Sequence, residues 1–421
     1  MRVMWIVNKS LVKNTADSFG GGWLNSLLDN LKFKEDITLT VCYTDRGLKS
    51  LKKEEVDGVL HVGIPRKKSV LKYDASLKKY FENIIDEFKP DLIHIQGTEN
   101  AAGIVAMRAR PNYKYIVSIQ GLLSRYSEHY SNGIPFPFFL DLTLRDFFHK
   151  DGPLSKGKKF KKSSWYEIEM IKKANYIMAR TSWDTACVRH INRHAKIYSD
   201  LRVLRPTFYE KEWSLEKCER HSIFVGNSKN SIKGFHYILR ALPLIKKIYP
   251  DVRVYVAGPN NIDDTKCNFF KRILSKQTYD LYLHKLMKKY KLQHNVIFTG
   301  VLDEKHMCEY FLKANVFILP SIIENSPNTL SEAAVLGVPI ISSYVAGVPD
   351  LVEDQINGFL YSYDEYYIMA DRVLTLFEND NLAVNFSKSI KEKSRVMYNP
   401  EKNTNLVYFA YKDILNNDSK K

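Results

Sequence analysis

The stretch from residue 316 to residue 339 reads VFILPSIIENSPNTLSEAAVLGVP. Its first four residues form an apolar run of the length of a buried strand, and a polar loop follows them. Ser326 is a preferred N-cap residue and Pro327 suits the first helical position, so a helix is predicted to begin there. Gly337 and Pro339 then end that helix. The stretch therefore predicts one β-loop-α unit of a parallel α/β sheet.

Two glutamates of this unit, Glu324 in the loop and Glu332 in the helix, are separated by seven residues. Between them, the backbone N–H groups of Asn328, Thr329 and Leu330 have no partner within the helix and lie at its positive end. Such N–H groups bind anions, and carboxylates accept hydrogen bonds from sugar hydroxyls. The unit therefore predicts a site for a sugar nucleotide.

The segment resembles the signature of the retaining glycosyltransferases of family four, which have the GT-B fold, two Rossmann-like doubly wound parallel-sheet domains facing a cleft. The later run Ala346-Gly-Val-Pro-Asp350 adds to the likeness. The resemblance implies that Glu324 contacts the donor sugar at the reacting centre and that Glu332 holds the ribose hydroxyls. It also implies that the intervening loop holds the sugar and the diphosphate, through Asn325, Ser326, Pro327, Asn328, Thr329 and Leu330. The alternative is an ordinary β-α unit with solvated glutamates.

The positive charge that a diphosphate needs is predicted after another strand, which ends at Gly226. Members of the family usually have an arginine directly after this glycine and a lysine before a later one. Lys233 fits the lysine position, whereas Asn227 replaces the arginine, and Lys229 is a second candidate for that charge. The resemblance also implies that the nucleotide lies against the edge formed by residues 299–301, which includes Val301.

No metal is expected, because the sequence lacks the Asp-x-Asp motif of metal-dependent transferases. Cationic side chains and helix N–H groups would then stabilise the departing nucleotide. No cofactor is expected beyond a nucleotide-sugar co-substrate, a UDP- or GDP-sugar.

The N-terminal half supplies further candidates at the ends of predicted strands. Gly21 and Gly22 allow close approach of the backbone to a charged ligand, although a flexible turn is the simpler interpretation. Gln120 stands where many family members have a histidine close to the reacting sugar, so it is predicted to orient the sugar rather than to move protons. Gln96 and Arg180 are expected on the acceptor side, with a structural ion pair as the alternative for Arg180.

The length of 421 residues suits two domains, and the composition is that of a globular protein. We expect an N-terminal acceptor-binding domain (1–204), a hinge (205–221), a nucleotide-sugar-binding domain (222–396) and a C-terminal helix (397–421) that packs back on the first domain. The aromatic-rich stretch 122–165 lacks a clear period, and it is predicted to be an insertion that contacts acceptor or membrane, with a poorly ordered or separately packed segment as the alternative. His94 lies among apolar strand residues and is predicted to be a core residue.

Five scattered cysteines and the absence of a signal-like or membrane-spanning run favour a cytoplasmic protein. Residues 1–205 hold 35 Lys and Arg against 22 Asp and Glu, whereas residues 206–421 hold 28 against 25. The excess positive charge therefore lies in the N-terminal half, notably at 66–72 and 156–162. This imbalance favours an anionic membrane surface, with a merely solvated surface as the alternative, and no nucleic-acid-binding motif is found.

Taken together, the sequence predicts a metal-independent retaining hexosyltransferase that moves a sugar from a nucleotide sugar to a saccharide or lipid-linked saccharide. Surface polysaccharide biosynthesis is the expected context, peripheral to the inner face of the cell membrane. Two alternatives remain: a nucleotide-sugar epimerase or hydrolase on the same fold, and a non-catalytic scaffold that has kept the fold.

Overall fold

The structure is a computed structural model that describes residues 1–12, 22–136, 138, 144–149, 152–260 and 277–416. The chain divides into two compact units, each built on its own sheet. Unit 1 comprises Met1–Arg125, Phe160–Arg205 and Tyr398–Lys421, and unit 2 comprises Tyr126–Lys159 and Pro206–Met397.

Unit 1 contains an eight-stranded sheet. Its strands are β1 (Arg2–Val7), β2 (Thr38–Asp45), β3 (Lys52–Val56), β4 (Val59–Pro65), β5 (Leu92–Gln96), β6 (Tyr115–Ser118), β7 (Tyr176–Ala179) and β8 (Lys196–Ser199). Their order is β3-β4-β2-β1-β5-β6-β7-β8, and all neighbours pair in parallel except β3 with β4. The central strands are apolar because both faces of a parallel sheet are covered.

Unit 2 contains a six-stranded sheet in which all neighbours are parallel. Its strands are β9 (Glu219–Val225), β10 (Arg253–Val256), β11 (Val296–Phe298), β12 (Ala314–Leu319), β13 (Ile340–Ser343) and β14 (Phe359–Tyr361). The order β11-β10-β9-β12-β13-β14 makes β9 and β12 neighbours, so the loops that follow these two strands emerge side by side.

Helices connect the strands. They are α1 (Gly22–Leu31), α2 (Leu77–Phe88), α3 (Ala102–Ala109), α4 (Leu123–Tyr126), α5 (Leu144–His149), α6 (Pro153–Lys173), α7 (Ser182–Ile191), α8 (Phe235–Ile248), α9 (Thr278–Lys289), α10 (Glu304–Lys313), α11 (Asn328–Leu336), α12 (Tyr366–Glu378), α13 (Asp380–Met397) and α14 (Pro400–Asn416). With these helices the structure confirms the predicted class, two α/β units on doubly wound parallel sheets.

The sheet of unit 1 has a hydrophobic core on each face, because successive strand residues point to opposite sides. Met4 and Ile6 of β1 pack with α2, α3 and α6 on one face. Trp5 packs with α1 and α14 on the other face, where its indole N–H donates to the Tyr411 hydroxyl at 3.0 Å. The C-terminal helix α14 is therefore part of unit 1.

His94 is fully buried in unit 1, as predicted for a core residue. Its ring nitrogens lie 2.5 Å from the Tyr411 hydroxyl and 2.7 Å from the Ser118 hydroxyl. Burial lowers the pKa of His94 to about 4, so the imidazole is neutral at physiological pH.

The stretch 122–165 differs from the predicted irregular insertion. It contains α4 and the first part of α6, a helix of 21 residues. Residues 126–159 cluster with unit 2, not with the N-terminal domain to which the sequence assigned them. The Ser231 hydroxyl donates to the carbonyl oxygen of Tyr130 at 2.5 Å, and Arg240 donates to that of Gly133 at 3.2 Å. A lysine-rich helix with a glycine near its start has a weak apolar period, which explains why the sequence did not reveal it.

Two further details differ from the sequence predictions. The helix after β12 begins at Asn328 with Pro327 as its N-cap residue, so Ser326, the predicted N-cap, lies one residue before the observed one. Its end at Gly337, which has a φ of 79°, is confirmed. The strands β3, β8, β13 and β14 were not predicted, because they are short or lack alternation. Within the described residues, no helix is both long enough and apolar enough to cross a membrane.

Candidate active site

The candidate site of unit 2 is built from the loops that follow β9 and β12. The Ile322 N–H donates to the Ile232 carbonyl at 2.8 Å and ties the two loops together. Gly234 has a φ of 69°, and a Cβ at this position would overlap the carbonyl oxygen of Pro320. Only glycine permits this close approach, and it positions the preceding Lys233 over the loop that carries Glu324.

Lys233 and Glu324 form an ion pair through Nζ and Oε1. The side chain of Glu324 is 8% exposed, and the Ser321 hydroxyl also donates to its Oε1 at 3.2 Å. The Gly347 N–H donates to the backbone carbonyl of Glu324 at 3.1 Å. The carboxylate is therefore held by Lys233 and Ser321, while Gly347 holds the backbone of the same residue. The sequence assigned these two side chains to different parts of the donor, whereas the structure pairs them directly.

The N-terminal turn of α11 lies beside this pair. Thr329 packs against Gly226, where a Cβ would lie 2.9 Å from the Thr329 Cγ2. The Asn325 N–H donates to the Tyr126 hydroxyl at 3.2 Å, and Asn325 itself is fully buried. The Oδ1 of Asn328 is buried without a hydrogen-bond partner among the described residues. The turn thus combines helix-end N–H groups with a buried polar atom, a combination that suits an anionic or hydroxyl-bearing ligand.

The other residues predicted around the donor differ in exposure. Glu332 and Leu330 are buried, whereas Ser326 and Pro327 are half-buried. Val301, Asn227 and Lys229 are exposed, and the Asn227 side chain accepts a hydrogen bond from the Lys229 N–H at 2.7 Å. The Asn227 side chain therefore stabilises the turn of its own loop. Lys229, two residues later, is exposed, and its ammonium group could contact a ligand bound at this loop.

The candidates of unit 1 lie at the carboxyl ends of β5, β6 and β7. Gln96 is buried at the end of β5, and the Gln120 side chain donates to its backbone carbonyl at 2.9 Å. Arg180 follows β7 with its side chain 1% exposed, and its Nη2 lies 3.3 Å from Oδ2 of Asp200. The structural ion pair considered for Arg180 is thus present.

The glycine candidates are only partly covered. Gly21 lies outside the described residues, and Gly22 is the first residue of α1. A Cβ on Gly22 would lie 2.6 Å from the Cδ of Arg205, so its backbone approaches an arginine closely.

Sequence reasoning missed several residues that complete these two clusters. Ser321 and Tyr126 contact the loop of Glu324, while Glu99 and Asp200 lie with the candidates of unit 1. Ser321 is three residues before Glu324, a spacing that could have suggested the contact. Strand order and the packing of residues 126–159 place Tyr126, Glu99 and Asp200 at these sites. Neither leaves a local pattern in the sequence.

The two units together have the fold of GT-B glycosyltransferases. Sucrose-phosphate synthase from Thermosynechococcus elongatus superposes with a TM-score of 0.70 at 15% identity, covering 98% of each chain. The Anabaena protein Alr3699/HepE, solved in complex with UDP-glucose, superposes with a TM-score of 0.67 at 13% identity, covering 98% of this chain and 100% of that one.

Residues 207–393 match the family model described as glycosyl transferases group 1. Among curated relatives, an uncharacterized 41.2 kDa protein in the cps region of Klebsiella pneumoniae is 25% identical over 252 residues, 56% of this chain and 61% of that protein. The putative colanic acid biosynthesis glycosyltransferase WcaL of Escherichia coli K12 is 29% identical over 118 residues, 27% of this chain and 29% of that protein. The chain thus spans less than two thirds of the length of these relatives.

Proposed function

We propose that this protein is a retaining glycosyltransferase that moves a hexosyl group from a UDP- or GDP-sugar to a saccharide or lipid-linked saccharide, without a metal ion. The observation that carries the proposal is the ion pair between the half-buried Lys233 and the buried Glu324, which lies four residues before α11. It lies within the residues that match the glycosyl transferases group 1 family.

The two side chains of the pair would contact different parts of the donor. A diphosphate bound at the turn would take the Lys233 ammonium and the N–H groups of Asn328, Thr329 and Leu330, which stabilise the leaving group. The Glu324 carboxylate, still held by the Ser321 hydroxyl, would then accept hydrogen bonds from hydroxyls of the donor sugar. Donor binding would therefore replace the ion pair between Lys233 and Glu324 with two new contacts, from Lys233 to the diphosphate and from Glu324 to the sugar.

Glu332 would hold the ribose hydroxyls, since it is buried one turn further along α11. Because the proposed mechanism uses no protein nucleophile, the leaving phosphate itself would accept the proton of the acceptor hydroxyl. Gln120 would orient the sugar, as a glutamine cannot act as a base at neutral pH. The names of the K. pneumoniae and E. coli relatives support a role in surface polysaccharide biosynthesis.

The first test is thermal stabilisation of the purified protein by UDP, GDP, ADP, CMP and their sugars, with and without EDTA. We expect one base to raise the melting temperature equally in both conditions, since binding to the folded state alone stabilises it. A rise abolished by EDTA would refute metal independence. No rise with any nucleotide would refute the transferase proposal and favour a non-catalytic scaffold.

We also propose that unit 1 contacts an anionic membrane surface. The end of the second basic run that belongs to unit 1, Lys161 and Lys162, lies near the run at 66–72, because the Ser163 hydroxyl of α6 donates to the Leu71 carbonyl at 2.7 Å. Lys161 and Lys162 are exposed on α6, and Trp165 one turn later is 72% exposed. Lysines beside an exposed tryptophan suit anionic headgroups and the interfacial region of a bilayer.

Co-sedimentation with vesicles that contain anionic phospholipid tests this contact. Wild-type protein should bind in a salt-sensitive way, and a Lys161→Glu, Trp165→Ser variant should lose most of that binding. The matched control is Lys79→Glu, Phe33→Ser, which changes another exposed lysine and a 79% exposed aromatic of unit 1. Equal loss in both variants, or no binding by wild type, would refute a specific membrane surface on α6.

A further inference from the structure

Three side chains at the strand ends of unit 1 retain buried polar atoms without a hydrogen-bond partner among the described residues. They are Gln96 through Oε1, Glu99 through Oε2, and Arg180 through both Nε and Nη1. Buried polar atoms are nearly always paired in native proteins, because leaving them unpaired costs free energy. A cluster of such atoms therefore indicates a place where a polar ligand or ordered water belongs.

Arg180 is the donor in this cluster. Its side chain is 1% exposed, and one of its three nitrogens, Nη2, lies 3.3 Å from Asp200. Its guanidinium lies 4.3 Å from the centroid of the Trp23 ring, and the guanidinium of Arg202 lies 5.5 Å from the same centroid. Two arginines thus lie over the same indole ring, and Asp200 contacts only one nitrogen of Arg180. The remaining nitrogens can donate to the oxygens of an anion.

Glu99 and Gln96 are the acceptors. Gly97 has a φ of 109°, and a Cβ there would overlap the Glu99 Oε2 and lie 3.1 Å from the Gln120 Cδ. The side chains of Glu99 and Gln120 therefore meet over the backbone of Gly97. Glu99 forms no ion pair with Arg180 among the described residues, although the charge of Arg180 acts on its pKa. The acceptor atom of Glu99 and the donor atoms of Arg180 are thus close enough to interact electrostatically but do not form a hydrogen bond with each other.

We propose that unit 1 binds an acceptor sugar that carries an anionic group, a carboxylate or a phosphate, with the anion on Arg180 and sugar hydroxyls on Gln96 and Glu99. The inference deepens the proposed function and rests on it for the word acceptor. The ligand class follows from the chemistry of the cluster, since Arg180 offers hydrogen-bond donors and positive charge, while Gln96 and Glu99 offer oxygen atoms that accept from hydroxyls.

Calorimetric titration of the full chain with three probes tests the proposal. Methyl β-D-glucuronide supplies a carboxylate, glucose 6-phosphate supplies a phosphate, and methyl β-D-glucoside is neutral. We expect one of the charged probes to bind wild-type protein at least about 10-fold more tightly than the neutral probe, since charge-assisted hydrogen bonds are the stronger ones. The probe that binds identifies which anion the site accepts.

Two variants assign the preference to Arg180. Arg180→Lys keeps a charge for Asp200 but removes the extra donors, and Arg180→Met with Asp200→Asn removes both buried charges together. Arg180→Lys should reduce the preference for the charged probe, and the double variant should lower the affinity to that of the neutral probe, whereas Arg189→Gln, at an exposed position of α7, should leave it unchanged.

The outcomes separate this inference from the proposed function. No preference for a charged probe in wild type, or a preference that survives in the folded Arg180→Met, Asp200→Asn variant, would overturn the inference and leave ordered water as the partner of these atoms. Nucleotide stabilisation measured on the same samples reports on the donor site alone. If nucleotides bind while the anion preference is absent, this inference fails by itself. If nucleotides fail to bind while the anion preference is present, the proposed function fails and the site remains.

Discussion

Both units end their central strands in buried polar side chains, but the two clusters differ in how far they satisfy themselves. In unit 2, Lys233 and Ser321 both contact the Glu324 carboxylate. In unit 1, Arg180 and Glu99 keep buried atoms without partners in the described part of the chain. A satisfied cluster must break an internal contact when it binds a ligand, whereas an unsatisfied cluster gains one. The comparison suggests that unit 2 is pre-organised by its own charges and that unit 1 is completed by its ligand.

The largest expected effect is loss of turnover when the satisfied cluster loses its carboxylate. Glu324→Gln keeps the shape but removes the charge that holds Lys233, and it weakens acceptance from sugar hydroxyls. We expect turnover to fall about 10³-fold, or about 4 kcal/mol, with nucleotide-induced stabilisation largely retained. Donor consumption assayed at saturating nucleotide sugar measures the effect.

The matched substitution Glu309→Gln, at an exposed position of α10, should have no effect on turnover. An active Glu324→Gln variant would show that the carboxylate only neutralises Lys233 and takes no part in the reaction.

The contrast between the units also explains what the sequence could predict. Glu324, the orphan N–H groups of α11 and its end at Gly337 lie within one continuous stretch, so local rules for strands, caps and glycine stops found them. The predicted helix start was wrong by one residue, because Pro327 is the N-cap residue and not the first helical residue. The pairing of Lys233 with Glu324 was missed, because it depends on β9 and β12 being neighbours. Sheet order is a tertiary property that no local pattern contains.

Unit 1 was harder to predict because its cluster is assembled from separate strands. Gln96 and Arg180 were found as residues at strand ends, yet Asp200 was missed together with β8, whose residues are half-buried or exposed and lack an apolar pattern. Glu99 was missed because it follows a glycine turn rather than a motif. The long helix α6 was missed because its lysines conceal the apolar period. The placement of residues 126–159 in unit 2 was missed for the same reason.

The second prediction breaks the turn that positions the cluster of unit 2. Gly234→Ala should lower the free energy of unfolding by about 3 kcal/mol, because a Cβ would overlap the Pro320 carbonyl in addition to the cost of a positive φ. Denaturant unfolding of the full chain measures this loss. Gly300→Ala is the matched control: its φ is 77° but a Cβ would meet nothing within 4 Å, so only about 1 kcal/mol should be lost. Equal losses would mean that Gly234 serves only its own backbone conformation.

The third prediction asks which lysine supplies the charge that the family usually takes from arginine. Lys233→Met should weaken nucleotide-diphosphate binding about 30-fold, or about 2 kcal/mol, since a charge-assisted contact is lost and Glu324 keeps its negative charge nearby. Lys229→Met should weaken it less than about threefold, because that lysine is exposed and its charge is screened. Titration with the nucleotide diphosphate that stabilises wild type compares the two. The reverse ranking would move the diphosphate towards the loop of Asn227.

The smallest expected effect tests whether Oε2 of Glu99 in unit 1 is buried without a hydrogen-bond partner among the described residues, as the structure indicates. Burial raises the pKa of Glu99 to about 7, above its ordinary value near 4.5. As the pH rises from about 4.5 to 7, the unfolded chain releases this proton while the folded chain retains it, so the stability contributed by Glu99 falls and then stays low above pH 7. Glu99→Gln cannot ionise, and it should therefore become more stable than wild type across that window, by about 1 kcal/mol at pH 8.

Urea unfolding of wild type and Glu99→Gln at intervals of pH measures this difference, with Glu35→Gln as the control at an exposed position. Burial lowers the pKa values of His94 and His236 to about 4 and about 3, so both proteins lose stability as the pH falls below about 6.5. That loss is common to wild type and variant and cancels in their difference. A difference that does not change with pH would mean that Glu99 is already paired or hydrated, and the contrast between the two units would then rest on Arg180 and Gln96 alone.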